Sequence, residues 1–279
     1  MLEESGNIHL RIGFMAWRIG DILELDKQIE WIHNAGFDGV SFHASPGMPN
    51  KWRGVDPVIT GNDERLRLKQ KLSVFGMCEI HAPFALTLKT DELMPIAEKL
   101  TEHIRFAGDV GASVITVHAD IPAYSPKVFN EWEKHLSELN DLAGKAGVVV
   151  GLEITKGFEF IKEFKGDNIG VTLDVGHLYL NDGEGYRPYG TMGGIVRILR
   201  EKLFHLHLHD YDGVNDHIEI GTGLLDFDEL FHSLVEIGYD GAMCLELNPD
   251  LVSPEGIMRS LEYLRTMLRV FHLWHKEDP

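Results

Sequence analysis

Cysteine is scarce in this chain: the 279 residues contain only Cys78 and Cys244, both inside apolar, strand-like segments. Neither has a second cysteine at chelating spacing, which excludes a disulfide framework and an all-cysteine metal site and favours two reduced core residues. Long hydrophobic runs are also missing. No apolar stretch approaches the roughly 20 residues of a membrane span, and the N-terminal Met-Leu-Glu-Glu-Ser does not resemble a secretory signal. We therefore expect a soluble, cytoplasmic protein.

Positive charge is in short supply as well. The 26 Lys and Arg residues stand against 44 Asp and Glu, which leaves a formal net charge of −18. Such a surface repels phosphate backbones, so nucleic acid is an unlikely partner. The sequence has no Gly-x-Gly-x-x-Gly or Walker loop for a nucleotide and no Gly-x-Ser-x-Gly elbow for a serine hydrolase.

What the chain does contain is a regular alternation of strand-like and helical segments. Seven predicted strands cover residues 9–15, 77–82, 113–118, 148–154, 169–174, 203–208 and 242–247. One more, the second in chain order, begins at residue 40. The predicted helices cover residues 21–35, 63–75, 91–107, 127–146, 158–164, 194–202 and 226–237, with a last helix after Pro254. Eight such units predict one (β/α)8 TIM barrel, a single domain over residues 1–279, and a doubly wound open sheet is the alternative.

Histidine or a carboxylate stands at the end of six predicted strands. These residues are His81, His118, Glu153, Asp174, His207 and Glu246. The C-terminal ends of parallel barrel strands converge on one rim, where barrel active sites are built. We therefore expect the six side chains to face one cavity.

Two of these carboxylates, Glu153 and Glu246, are embedded in apolar runs, where an unpaired charge is costly. A cation has to compensate them, and the predicted strands after the first contain no arginine. A metal ion is therefore favoured over an ion pair. Glutamate, aspartate and histidine together suit Mn²⁺, Zn²⁺, Co²⁺ or Fe²⁺, and the sequence leaves that choice open.

The segment 202–210, Lys-Leu-Phe-His-Leu-His-Leu-His-Asp, places three histidines on one face of a strand. They are typical of the wall of a metal site, although any one of them alone is more often a structural residue.

Five segments together resemble the xylose isomerase-like barrel superfamily, which contains sugar and sugar-phosphate isomerases and epimerases and the endonuclease IV enzymes. They are Gly151-Leu152-Glu153, Leu173-Asp174-Val175-Gly176-His177, the histidine segment 205–210, Asp216-His217 before Ile220-Gly221-Thr222-Gly223, and Leu245-Glu246-Leu247-Asn248-Pro249. The resemblance covers nearly the whole chain in element order.

The resemblance implies a divalent metal ion held by four residues: Glu153, Asp174, His207 and Glu246. It selects His207 because Asp210 follows three residues later, and it leaves His205 as a deeper, structural residue. In the epimerase branch the two glutamates work on opposite faces of the sugar. One removes the proton beside the carbonyl and the other returns it, while the metal stabilises the enediolate.

The resemblance implies substrate contacts less firmly. Glu159 matches a contact of ketose 3-epimerases, and His209 falls where relatives carry Lys or Asn. Gly213 replaces an arginine of those enzymes, which argues against a free ketohexose. Trp17 and Trp52 are further candidates for the pocket.

The endonuclease IV branch uses three zinc ions, and its additional ligands resemble His81, His118, His177 and His217, of which His177 also resembles a substrate-binding histidine of the epimerases. An aspartate expected two residues before the last of these is replaced by Asn215. The four histidines keep open a metal-dependent phosphodiesterase acting on abasic DNA, with one to three ions.

The predicted function is a metal-dependent isomerase or epimerase of a small sugar or sugar phosphate. A keto-sugar lyase needs the same base and metal and stays an alternative, as does a sugar-binding barrel without catalysis. No membrane association is expected, and a homo-oligomer is possible.

Overall fold

Eight parallel strands close into a barrel in the computed structural model, which describes residues 10–48, 51–122 and 126–271. The strands are β1 Arg11–Met15, β2 Gly39–His43, β3 Met77–His81, β4 Val114–His118, β5 Val149–Glu153, β6 Ile169–Asp174, β7 Leu203–Leu208 and β8 Ala242–Leu245. Each strand pairs with its neighbours in sequence, and β8 closes the ring against β1. The predicted TIM barrel is confirmed.

A helix follows every strand and covers the outside of the barrel. The helices are α1 Leu25–Asn34, α2 Asn62–Leu72, α3 Leu93–Val110, α4 Pro126–Ala146, α5 Phe158–Glu163, α6 Met192–Leu199, α7 Phe227–Ile237 and α8 Pro254–Val270. In α3, the buried residues Ile96, Leu100, Ile104 and Ala107 recur every three or four positions. This spacing gives the helix one apolar face toward the strands.

A small two-stranded sheet and several short helical turns lie in the loops outside the barrel. Gly47–Met48 pairs antiparallel with Trp52–Arg53 after β2. Single helical turns are formed by Phe84–Leu86, Thr90–Glu92, His177–Tyr179, Leu180–Gly183, Arg187–Tyr189 and Arg200–Lys202.

Most predicted helices differ from the observed bounds at one or both ends, and two of these differences have a local reason. Helix α1 begins at Leu25 rather than residue 21, because Ile19 and Ile22 form a bridge that keeps this stretch out of the helix. Helix α6 begins at Met192, where the Thr191 hydroxyl caps it by accepting the N–H of Gly194, and it ends before Arg200, whose φ is +45°.

The predicted first strand included His9, which lies outside the described residues, and the single domain over 1–279 stays a prediction. In the part of the chain that the structure describes, no helix is long and apolar enough to cross a membrane.

Candidate active site

The C-terminal ends of β5, β6, β7 and β8 bring the four predicted metal ligands together. Nδ1 of His207 lies 3.0 Å from Oε2 of Glu246 and 3.6 Å from Oε2 of Glu153. Glu153, Asp174 and His207 each offer one ligand atom within 4.8 Å of the others. All four side chains are buried.

Two atoms of this group are buried without a hydrogen bond to any described residue: Nδ1 of His207 and Oδ2 of Asp174. Glu246 is close to Nδ1 of His207, but the direction of the contact is unfavourable for a hydrogen bond. An unpaired buried polar atom costs about 1–3 kcal/mol, so proteins rarely leave one. A divalent cation would satisfy both atoms, and three carboxylates with one imidazole suit Mn²⁺, Zn²⁺, Co²⁺ or Fe²⁺. The residues therefore fit such an ion.

The four additional histidines surround the same carboxylates. On one side, Nε2 of His81 lies 3.2 Å from Oε2 of Glu153, and Nδ1 of His118 lies 3.6 Å from Oε1 of Glu153. On the other side, Nδ1 of His177 lies 3.1 Å from Oε1 of Glu153 and 3.4 Å from Oδ2 of Asp174.

His217 completes this second side, with Nε2 at 3.9 Å from Oε1 of Glu246. These four histidines contribute to three further groups with metal-ligand spacing: His81, His118 and Glu153; His81, His207 and Glu246; and Asp174, His177, His209 and His217.

His209 was expected at the rim as a substrate contact, but its side chain is completely buried. Its Nδ1 lies 2.8 Å from the backbone nitrogen of His217 and 3.1 Å from the carbonyl oxygen of Asp210. Its Nε2 donates to Oδ1 of Asp174, at 2.8 Å. With both ring nitrogens engaged, His209 is placed to orient Asp174 rather than to meet a substrate.

The loop that carries His217 is built around the buried carboxylate of Asp210. Its two oxygens accept four backbone N–H groups, at 2.8 to 3.2 Å, from Tyr211, Gly221, Gly223 and Leu225. A side chain at Gly223 would collide with Asp210, which explains the second glycine of the Gly221-Thr222-Gly223 segment. His217 itself has a φ of +53°, a left-handed conformation that non-glycine residues adopt only when the surroundings enforce it.

Sequence reasoning missed Glu79, a fully buried carboxylate of β3. Its Oε1 lies 2.7 Å from Nε2 of His207 and its Oε2 lies 3.0 Å from Nε2 of His205. The signal was available, because Glu79 stands in the apolar run Met-Cys-Glu-Ile just as Glu153 and Glu246 stand in theirs. It was overlooked because it lies two residues before the end of its strand.

The site's acids and imidazoles shift one another's pKa values. Burial would raise the pKa of Glu246, but His207, His217 and His81 together lower it to about 2. Burial would lower the pKa of His177, but Asp174 and Glu153 raise it to about 10. Against burial, Glu79 and Glu246 also raise the pKa of His207 well above its usual range. In the metal-free protein, imidazolium cations therefore compensate the buried carboxylates.

These shifts predict how the metal-free protein responds to pH. The raised histidine pKa values stabilise the fold fully below about pH 6.5, and this contribution is lost as pH rises toward 10. The lowered pKa of Glu246 gives a contribution present above about pH 4.5 and lost as pH falls toward 2. In a chelating buffer, we expect the thermal midpoint to fall by about 3 °C or more between pH 6.5 and 9.5.

A metal ion binds the deprotonated ligands, so the midpoint gained by adding Mn²⁺ should grow over the same range. The control is His177→Asn, whose midpoint without metal should fall less steeply. A midpoint that rises with pH in the metal-free protein would contradict the assignment.

Aromatic residues of the first two rim loops flank the site. The ring centroid of Trp17 lies 5.8 Å from those of His43 and His217, and Trp52 lies 4.7 Å from His43. Burial, reinforced by His81, lowers the pKa of His43 to about 3, so this imidazole is neutral. By these distances, Trp17 and Trp52, the two tryptophans predicted for the pocket, lie next to histidines at the edge of the site.

Glu159 lies apart from this group. It accepts the hydroxyl of Tyr189 at 2.9 Å and lines a mostly apolar cleft of about 630 Å³ together with Ile121, Phe129 and Phe160. A second cleft, of about 350 Å³, is lined by His177, Thr155 and Asn181, and it borders the site at His177.

Comparisons with known proteins find similarity along most of the chain. The family model described as "Xylose isomerase-like TIM barrel" matches residues 29–267. A ketose 3-epimerase of Arthrobacter globiformis is 28% identical over 139 residues, 43% of this chain and 44% of that protein. An inosose dehydratase of Serratia proteamaculans is 23% identical over 306 aligned positions, 93% of this chain and 97% of that protein. The first three curated relatives are matched over 44% to 63% of their own length, less than two thirds.

Among solved structures, D-psicose 3-epimerase with D-tagatose from Clostridium cellulolyticum H10 superimposes with a TM-score of 0.71. The match covers 95% of this chain and 100% of that one, at 17% identity. At that identity the likeness supports the barrel fold.

Proposed function

Because the chain belongs to the xylose isomerase-like TIM barrel family, we propose that it is a divalent-metal-dependent sugar isomerase or epimerase. The observation that carries the proposal is the pair of buried glutamates, Glu153 and Glu246, whose carboxylates both lie within 3.6 Å of Nδ1 of His207. They come from β5 and β8, so they approach a central ligand from different sides of the barrel. Similarity to a ketose 3-epimerase supports the same class of reaction.

In this proposal the ion is held by Glu153, Asp174, His207 and Glu246. When bound, it supplies a Lewis acid that polarises the substrate carbonyl. The protein's own part is the proton transfer: one glutamate takes the proton from the carbon beside the carbonyl, and the other delivers a proton to the opposite face. His177, at the open end of the group, is placed to donate a hydrogen bond to a substrate oxygen.

Charge favours an unphosphorylated sugar over a sugar phosphate. Three cations of the rim loops are each paired with an acid: Arg18 with Asp250, Lys156 with Asp120, and Arg187 with Asp182. A phosphate would have to compete with these acids in a protein whose net charge is −18.

The test is proton exchange with solvent. Metal-free protein is reconstituted with Mn²⁺ and incubated in D₂O with ketoses, aldoses and 3-keto sugars. We expect deuterium at the carbon beside the carbonyl of at least one sugar, with its epimer or isomer as product, and no exchange in chelator. Metal-loaded protein that exchanges no proton across the panel would refute the proposal and favour a binding barrel without catalysis.

Dehydration is a second candidate, favoured by the similarity to an inosose dehydratase along nearly the whole chain. It uses the same base and the same metal. Mass spectrometry separates the two reactions, because a dehydratase product has lost one water whereas an epimer has the mass of its substrate.

The phosphodiesterase alternative has one specific observation in its favour, the two histidine groups that share Glu153 and Asp174 with the central ligands. Elemental analysis distinguishes it: a single ion per chain favours the isomerase, and three favour the phosphodiesterase. Failure to nick an abasic-site duplex at low salt with Zn²⁺, Co²⁺ or Mn²⁺ would remove it.

A further inference from the structure

A buried polar network lies directly beneath the proposed metal site, and Glu79 is its centre. The carboxylate is fully buried and is contacted by three donors from two other strands, β4 and β7. His207 contacts it at 2.7 Å, His205 contacts it at 3.0 Å, and the hydroxyl of Thr116 donates to the same oxygen as His207. An ionised group placed this deep requires such a set of donors, since isolated burial would be prohibitive.

From this geometry we propose that Glu79 is a positioning residue that keeps a proton on Nε2 of His207 and so presents Nδ1 to the metal. The inference rests on the proposed function, because it assigns His207 as a metal ligand. A ligating histidine commonly donates its second ring N–H to a carboxylate, which fixes the ring's tautomer and orientation and raises its basicity. Nε2 of His207 faces Glu79, while Nδ1 faces Glu246 and Glu153.

The surroundings of Glu79 hold its carboxylate in place. Thr116, which donates to Glu79, is itself 2.9 Å from the hydroxyl of Thr172 on β6. The Thr172 hydroxyl occupies the space where residue 151 would carry its Cβ, so only glycine fits there. The glycine of Gly151-Leu152-Glu153 thus makes room for the network two residues before a proposed metal ligand.

His205 provides a matched control. It contacts the same carboxylate, from the same strand as His207 and at the same complete burial, but it is two residues deeper and does not reach the metal-ligand atoms. A network that merely fills the barrel would respond alike to changes at Glu79 and at His205. A network that orients His207 would respond at the metal only when Glu79 is changed.

The experiment compares Glu79→Gln, His205→Gln and the wild type by calorimetric titration of Mn²⁺ into metal-free protein. Glutamine has one carbonyl oxygen for three donors, and its amide adds a donor of its own. We expect Glu79→Gln to bind Mn²⁺ about 10- to 100-fold more weakly than the wild type, and His205→Gln to stay within about threefold. Circular dichroism and thermal melts confirm that each titrated variant is folded.

A second readout does not depend on metal or substrate. In ¹H–¹⁵N spectra of the metal-free wild type, the Nε2 proton of His207 should be downfield and slow to exchange, and this signal should be lost or shifted in Glu79→Gln. Should Glu79→Gln not fold, Glu79→Asp keeps the charge but withdraws it by one methylene, and an intermediate loss of Mn²⁺ affinity is expected.

Wild-type Mn²⁺ affinity in folded Glu79→Gln or Glu79→Asp, or equal losses in Glu79→Gln and His205→Gln, would overturn the role of Glu79. These outcomes are separate from the proposed function. A protein that epimerises no sugar but loses Mn²⁺ affinity in Glu79→Gln alone would refute the function and retain the positioning role.

Discussion

Replacing Glu246 with glutamine is expected to lower the epimerisation or isomerisation rate at saturating Mn²⁺ by about 100- to 10,000-fold, the range that a positioned acid or base contributes. Glutamine keeps an oxygen that can contact the metal but cannot take or return a proton. Metal content, measured by elemental analysis of protein saturated with Mn²⁺, should therefore stay close to one ion per site. The measurement is the initial rate of product formation on the best substrate of the exchange panel.

Solvent exchange makes this test sharper. With Glu246 blocked, Glu153 still serves the opposite face of the sugar, so only one of two epimeric substrates should exchange its proton with D₂O. Glu163→Gln, at an exposed carboxylate of α5, is the matched control and should keep the wild-type rate. A Glu246→Gln protein that interconverts both epimers at the wild-type rate would show that Glu246 is not part of the proton transfer.

His207→Ala should abolish stoichiometric metal binding, with affinity lowered by at least about 100-fold, because a direct ligand is lost and Glu79 loses one of its three donors. His205→Ala should retain the metal and lower the free energy of unfolding by about 2–4 kcal/mol, because it leaves a cavity and removes one donor from a buried carboxylate. Elemental analysis and denaturant unfolding of both variants measure these effects.

The two alanine variants stand two residues apart on one strand, so each controls for the other. Equal loss of metal in both would mean that the division between a ligand and a structural histidine is wrong. Unchanged metal content in His207→Ala would place the ion elsewhere, with the flanking histidine groups as the next candidates.

The barrel was predictable because its signal is repeated. Each unit shows an apolar strand and a helix with apolar residues at its buried face, and four of the helices are followed by a glycine in the left-handed conformation: Gly36, Gly111, Gly147 and Gly238. The ends of helices were less predictable where they depend on a single local contact. The Thr191 cap and the bridge between Ile19 and Ile22 are tertiary details that periodicity does not register.

The residues of the site also fall into those that the sequence predicts and those that it does not. Residues at strand ends, such as Glu153 and Asp174, could be assigned to one rim because parallel strands converge there. His209 was misplaced because its partners, Asp174 and the backbone of His217, are brought to it by a loop whose path depends on Asp210. Glu79 was missed because its role arises from contacts with β7, which strand-by-strand reasoning does not assemble.

The carboxylate of Asp210 has a consequence for how a substrate meets this site. Four backbone N–H groups of this loop donate hydrogen bonds to the Asp210 carboxylate, so the loop is already ordered in the folded protein. A ligand that contacts His217 therefore does not have to offset the entropy of ordering the loop. This side of the pocket should then behave as a preorganised binding site. It should discriminate between substrates by their shape and by the direction of their hydrogen bonds. Ordering this loop lowers the stability of the folded protein in two ways: His217 adopts a left-handed backbone conformation, and position 223 must be glycine.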